Sequence, residues 1–302
     1  MILLLGGNGY IGTEFRKQLD ANNRQYITAP HSEHTLEEAL DGLSYDPSPG
    51  FVINCAGYTG KPNVDACETQ QDECYKLNVE YPMRMRMLCE TYGFPWLHVS
   101  SGCIYKGGKL WHRTQDDMRP YYDKDTLITG FDEEDEPNFS FKNPPCSFYS
   151  GTKALGEDAI KDGRGYVCRL RIPFDSENNP RNYLTKLLNY PKYYDNINSL
   201  SQKSEFVSAC LELIDKSAPY GIYNVTNPGW VSTRAVVDMF KLWRPDIKKD
   251  WDAYKDDEEF YSDATALRSN CIMDSSKLLK SAGIEMRSVY KALEDSITNY
   301  KL

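Results

Sequence analysis

No stretch of this sequence stays apolar long enough to cross a bilayer. The opening run, Met1 to Leu5, stops at Gly6 and lacks the charged start and small-residue cleavage site of a signal peptide. The nine cysteines are odd in number and include no Cys-x-x-Cys pair, which argues against a disulfide framework and against a zinc site. Basic residues are the minority, 35 Lys and Arg against 44 Asp and Glu for a net charge of −9, so a nucleic-acid-binding surface is not expected. There is no internal repeat and no low-complexity linker; the acidic run 132–136 reads as a solvated loop. These absences leave a cytoplasmic protein with neither membrane nor nucleic-acid partner as the expectation.

What is present suits a large soluble fold. The chain has 302 residues, 40% hydrophobic and 26% charged, enough for a sizeable core. Residues 2–5 form a continuous apolar run bounded by glycine, the pattern of a strand buried on both faces of a parallel sheet. Further strands read at 25–30, 51–57, 95–102 and 165–172, with helices after Gly12, over 78–93 and over 147–163. Alternation of this kind predicts an α/β Rossmann-type doubly wound parallel sheet over residues 1–172. After Pro173 the pattern turns to short segments: a strand and loop at 221–232, a helix at 233–243, and a helix pair with a turn at Gly283. Residues 173–302 are therefore assigned to a smaller C-terminal substrate-binding α/β domain that closes over the strand ends, with part of 196–220 returned to the first domain.

The stretch "GGNGYIG" follows the first strand directly and opens a helix. Gly6, Gly9 and Gly12 allow a tight turn, close approach to a pyrophosphate, and close helix–strand contact, with the helix N-terminus facing the phosphates. Tyr10 and Ile11 belong to the same loop, and Asn54, Ala56 and Gly57 at the end of the third strand are expected along the cofactor. The second strand ends in "ITAPHSEH", with no acidic residue at its tip to hold a ribose 2′-hydroxyl, which tilts the expectation from NADH toward NADPH. No arginine for a 2′-phosphate stands out there; His31, Ser32 and His34 are the local candidates, or simply loop residues.

Tyr149 and Lys153 in "FYSGTK" are four apart on one helix face. An ammonium beside a phenol favours phenolate, so Lys153 is expected to lower the Tyr149 pKa and ready it for proton transfer to a carbonyl oxygen. Ser101, in "VSSGCIY", is placed to bond the same oxygen, completing a Ser–Tyr–Lys reductase site. Cys103 in that stretch has two readings, a small core hydrophobe or a proton-transfer group.

Beyond these motifs, "GKPNVDACE", "SGCIY", "FDEEDEPNF", "SFYSGTKA", "RLRIPFDSENNPRNYLTK", "GIYNVTNPGWVS" and "ATALRSNCIMDSSKL" occur in an order that spans nearly the whole chain. In these the sequence resembles the bifunctional UDP-4-keto-6-deoxyglucose 3,5-epimerase/4-reductases of UDP-L-rhamnose synthesis, extended short-chain dehydrogenases of plants and large viruses. It departs from them in a longer segment after "SGCIY", residues 106–130. The resemblance implies NADPH as cofactor, UDP-4-keto-6-deoxyglucose as substrate and UDP-L-rhamnose as product. It also implies the cytoplasm as compartment (the host's, if the source is viral) and, by analogy, a homodimer.

It implies residue roles as well. Cys103 takes the place of a cysteine that serves epimerisation in the related GDP-fucose synthase, and Lys186 that of its acid–base partner; locally, Lys186 would pass for an exposed helix lysine. Thr59, Lys61 and Asn63 fall in a loop expected to face the sugar or the nicotinamide. Asn179, Arg181, Asn182 and Arg268 are candidates for the UDP end, where arginine suits phosphate, although Arg268 reads equally well as a structural ion-pair former. Two other activities remain open at this stage: a 4-keto-sugar reductase alone, like dTDP-4-dehydrorhamnose reductase, or a non-catalytic NADP-binding regulatory subunit.

Overall fold

The computed structural model describes residues 1–29, 33–45, 50–111 and 127–302. At its centre six strands run parallel: β1 (Ile2–Leu5), β2 (Tyr26–Ala29), β3 (Phe51–Asn54), β4 (Trp96–Ser101), β5 (Gly165–Leu170) and β6 (Gly221–Asn224). Their order across the sheet is β6-β5-β4-β3-β1-β2. All four residues of β1 are buried, as a strand covered on both faces requires. The order reverses between β1 and β3, and ligands of open α/β sheets bind outside the carboxyl ends of the strands at such a point.

Helices α1 (Gly12–Ala21), α2 (Glu33–Ser44), α3 (Tyr81–Tyr92) and α4 (Phe148–Ile160) connect the first strands. Before α3 the chain makes a wide π turn over Lys76–Glu80, and Pro82, which has no N–H to donate, follows it in α3. That π turn sets the position of α4. A Cβ on Gly156 of α4 would stand 1.9 Å from the Asn78 carbonyl oxygen, so only glycine lets the two backbones approach this closely. Gly156→Ala would gain helix propensity in the open, yet here it is expected to destabilise the fold by about 2 kcal/mol, because the obstacle is backbone that cannot swing away. A urea midpoint below wild type by that margin is the check; an unchanged midpoint would contradict the close approach.

The chain leaves the sheet after β5 and then returns. Helix α5 (Tyr183–Asn189) lies in the smaller unit, but α6 (Lys203–Asp215) packs beside α1 on the large sheet, and β6 adds to that sheet next to β5. Phe206, Val207, Leu213, Tyr223 and Val225 share one core with Leu4, Phe15 and Ile53. The large unit therefore takes back β6 as well as α6, and the 221–224 strand assigned to the smaller domain belongs to the dinucleotide-type sheet. The smaller unit has its own core around Phe174, Leu184, Val237, Phe240, Leu293 and Ile297, built from α5, α7 (Thr233–Trp243) and α8 (Val289–Thr298). Its strands are two-residue pairs only. One buried ion pair links α4 to β5: Arg169 grips Glu157 through Nε and Nη2, one edge of its guanidinium, at 2.5 to 3.1 Å. The long segment after "SGCIY" enters and leaves as an antiparallel pair, Lys109–Trp111 with Leu127–Thr129; its middle, 112–126, lies outside the described residues.

Candidate active site

The loop after β1 is shaped by its glycines. Gly6 has φ +73°, and a Cβ there would lie 2.6 Å from the Ala56 backbone nitrogen, so this loop sits directly against the turn after β3. A Cβ on Gly12 would lie 2.2 Å from the Gly6 oxygen. Gly9 and Gly57 are exposed, and no side chain caps the N-terminus of α1. An open glycine ledge ending in uncapped helix N–H groups, at the switch point of the sheet, fits a dinucleotide pyrophosphate.

Side chains expected along that cofactor divide. Asn54 is fully buried and turned inward: its Oδ1 accepts from Ala56 N at 2.9 Å, and its Nδ2 meets His98 Nδ1 at 3.0 Å. Burial, then the charge of Lys153, holds His98 far below its ordinary pKa, so the ring is neutral, with Nδ1 accepting from Asn54. Asn54 thus shapes the turn that presents Ala56 and Gly57 and does not itself reach a ligand. The Tyr10 side chain also turns away, its ring beneath Lys203 Nζ at 4.5 Å and its hydroxyl buried beside Asp175. His31 and Ser32 lie outside the described residues, as does the side chain of His34. A cation near the second strand does exist, on α1. Arg16 donates from Nη1 to Asn8 Oδ1 at 3.1 Å, and a Cβ on Gly7 would touch both its Cδ and Thr28 of β2.

Ser101 ends β4, and its Oγ accepts from Cys103 N at 3.2 Å, capping the short turn Gly102–Ile104. The Tyr149 hydroxyl and the Cys103 thiol both lie close enough to this hydroxyl to feel it. Helix α4 is capped by Ser147, whose Oγ accepts from Ser150 N, and it carries Tyr149 half-buried and Lys153 at 5% exposure. Lys153 Nζ donates to Val99 O at 3.4 Å. Burial pushes Lys153 below the ordinary lysine range, opposed by Cys103 and Glu157. Burial also pushes Tyr149 well above the ordinary tyrosine range, aided by Cys103 and opposed by Ser101. Desolvation of the phenolate, which disfavours the charged form, is the largest influence on Tyr149. Cys103 is 5% exposed, its thiol raised by burial and drawn down by Ser101, Arg171 and Lys153.

Lys186 sits half-buried on α5, its ammonium with neither hydrogen bond nor ion pair among the described residues. Burial, then Arg181 and Arg268, depress its pKa. Both arginines reach the loop over 58–68. Arg181 donates to Thr59 Oγ1 at 2.8 Å and to Gly60 O at 3.1 Å, while Arg268 pairs with Asp65 through both carboxylate oxygens, at 2.8 and 2.9 Å. Of the two readings for Arg268, the structure displays the ion pair. Asn182 does not reach a phosphate: it is the fully buried N-cap of α5, accepting from Leu184 N and donating to Asp175 and Glu177. Asn179 Oδ1 accepts from Arg181 N and closes a turn, Asn63 Oδ1 accepts from Asp65 N, and Lys61 is exposed. Asn78 went unread in the sequence; it bonds Tyr58 through both N and O, and also Thr152 of α4, tying this loop to the Tyr–Lys helix.

Fold and site together define a Rossmann-type α/β protein with Ser, Tyr and Lys gathered at the end of its fourth strand. More particularly, the sequence matches the RmlD substrate binding domain over residues 1–302, and the chain belongs to that family. It is 34% identical, over 92% of its length, to an Arabidopsis thaliana trifunctional UDP-glucose 4,6-dehydratase/UDP-4-keto-6-deoxy-D-glucose 3,5-epimerase/UDP-4-keto-L-rhamnose-reductase. The chain spans only 39% of that relative. It is 32% identical to the Arabidopsis bifunctional dTDP-4-dehydrorhamnose 3,5-epimerase/dTDP-4-dehydrorhamnose reductase, over 96% of this chain and 90% of the other. Among solved structures, the L780 UDP-rhamnose synthase of Acanthamoeba polyphaga mimivirus superposes with a TM-score of 0.84 at 23% identity, covering 99% of this chain and 98% of that one. A Bacillus anthracis dTDP-4-dehydrorhamnose reductase in complex with NADP has the same fold, at a TM-score of 0.74 and 19% identity, over 98% and 97% of the two chains. No helix among the described residues is long and apolar enough to cross a membrane.

Proposed function

We propose that the chain is an NADPH-dependent 4-keto-sugar reductase acting on a UDP-linked 6-deoxy-hexose, and that the same site first epimerises C3 and C5. The observation that carries the reading is the meeting of Ser101, Tyr149 and Cys103 at the end of β4. Family membership and the two plant relatives support the reductase most broadly; the epimerase rests on Cys103 and Lys186.

A bound nicotinamide supplies the hydride for C4. Tyr149 donates its proton to O4, and Ser101 hydrogen-bonds the same oxygen. Before that step, protons at C3 and C5 are acidic because they flank the ketone, and Ser101 and Tyr149 stabilise the enolate charge on O4. Inversion needs proton-transfer groups on both ring faces; Cys103 and the depressed Lys186 take these roles. Arg181 provides for the diphosphate.

Arg16 provides for the 2′-phosphate. Arg16→Gln is expected to raise the KM for NADPH about 10-fold while leaving that for NADH within about 2-fold. An equal rise for both cofactors would remove Arg16 from this role.

The reading is tested by supplying UDP-4-keto-6-deoxyglucose as the sole sugar. NADPH oxidation yielding UDP-L-rhamnose is the expected result. Oxidation with only the pre-epimerised ketone would leave a reductase alone, and NADPH binding without turnover of either ketone would contradict both halves.

A further inference from the structure

The stretch "RLR" places two arginines at the end of β5 that the fold treats differently. Arg169 is matched by Glu157. Arg171 is just as buried, at 5% exposure, yet pairs with no carboxylate among the described residues. Its Nη2 donates to Asn198 Oδ1 and to the Ser269 carbonyl, and its Nε is buried with no partner among the described residues. A buried cation held only by neutral acceptors is costly unless an anion is available nearby.

Two nearby thiols could become one, and of them Cys103 is the stronger candidate. Arg171 Cδ lies 3.5 Å from the position a Cβ would take on Gly102, the residue preceding Cys103. The groups facing the thiol are Ser101 from β4, Tyr149, Ser150 and Lys153 from α4, Cys67 and Cys146 from the neighbouring loops, and Arg171; the charged ones are both cations. Cys271 also lies near Arg171, but its Sγ donates to Gly102 O at 3.3 Å and is occupied as a thiol. The next residue, Ile172, sits at φ +36°, a left-handed backbone that a β-branched residue rarely adopts. The chain turns sharply there, as Arg171 enters the core.

We propose that Arg171 is the counter-cation of Cys103, a positioning residue that stabilises the thiolate through which the sugar carbon exchanges its proton. As a base, the thiolate takes the proton, and the C–H electron pair stays on the sugar as enolate; as an acid, the thiol returns a proton to carbon and becomes thiolate. This inference rests on the epimerase reading, and its test separates the two.

In the full chain, iodoacetamide alkylation of Cys103 is followed against pH by peptide mass spectrometry, with Cys271 as internal control. Arg171→Gln is expected to move the Cys103 midpoint up by about one pH unit, and Arg171→Lys to restore it. Deuterium exchange at C3 and C5 should slow about 10-fold at neutral pH in Arg171→Gln and recover in Arg171→Lys. Asn198→Asp, which supplies Arg171 with an anion of its own, should shift the midpoint in the same direction and serves if Arg171→Gln does not fold. A wild-type alkylation profile in the charge-removing variants would overturn the proposal. A shifted midpoint with no carbon exchange even in wild type would retain the Arg171–Cys103 pairing and overturn the epimerase reading.

Discussion

Tyr149→Phe is expected to lower kcat for ketone reduction about 10³-fold while leaving the Kd for NADPH within about 2-fold. The ring keeps its packing on α4, so cofactor and helix are undisturbed; only the proton for O4 is lost. Burial holds the Tyr149 hydroxyl protonated well past neutrality, and that proton is what the alkoxide formed at C4 requires. Neither Ser101 nor Lys153 is an equivalent donor. Ser101 is a far weaker acid, and Lys153 is directed at the Val99 carbonyl. Stopped-flow absorbance gives kcat and fluorescence titration gives Kd. Retained turnover would take Tyr149 out of its assigned role, and a parallel loss of affinity would make it a binding residue.

Cys103→Ala is the second large effect. With UDP-4-keto-6-deoxyglucose, turnover should fall by about 10² to 10⁴, the range for loss of a positioned proton-transfer group. With the already epimerised ketone the fall should stay under about 10-fold, because Tyr149 and Ser101 remain. Truncating one small buried side chain also leaves a cavity, so both substrates are assayed at a temperature where the variant is folded. Equal losses on both substrates would make Cys103 a packing residue, as its 5% exposure alone would imply.

The parts of this site legible in the sequence are the local ones. The glycine loop follows a four-residue buried strand, and Tyr149 and Lys153 share one helix face, so spacing alone locates them. What could not be read depends on partners far along the chain. Arg268 meets Asp65 across 203 residues, which decides between ion pair and phosphate ligand, and no local pattern carries that information. Asn182 looks like a polar loop residue until helix α5 is seen to begin there, consuming its amide. Arg16 stands on α1, and only the packing of α1 against the sheet brings it near Thr28 of β2. The return of α6 and β6 to the large sheet was partly hidden, since a short strand after a helix reads alike in either domain.

The central claim is that one site performs both epimerisation and reduction. It is tested most directly by giving the chain UDP-4-keto-6-deoxyglucose and NADPH in deuterated water and locating deuterium in the product. The account predicts NADPH oxidation with deuterium at both C3 and C5. Oxidation without label at either carbon would contradict it, leaving a reductase in which Cys103 and Lys186 take no part.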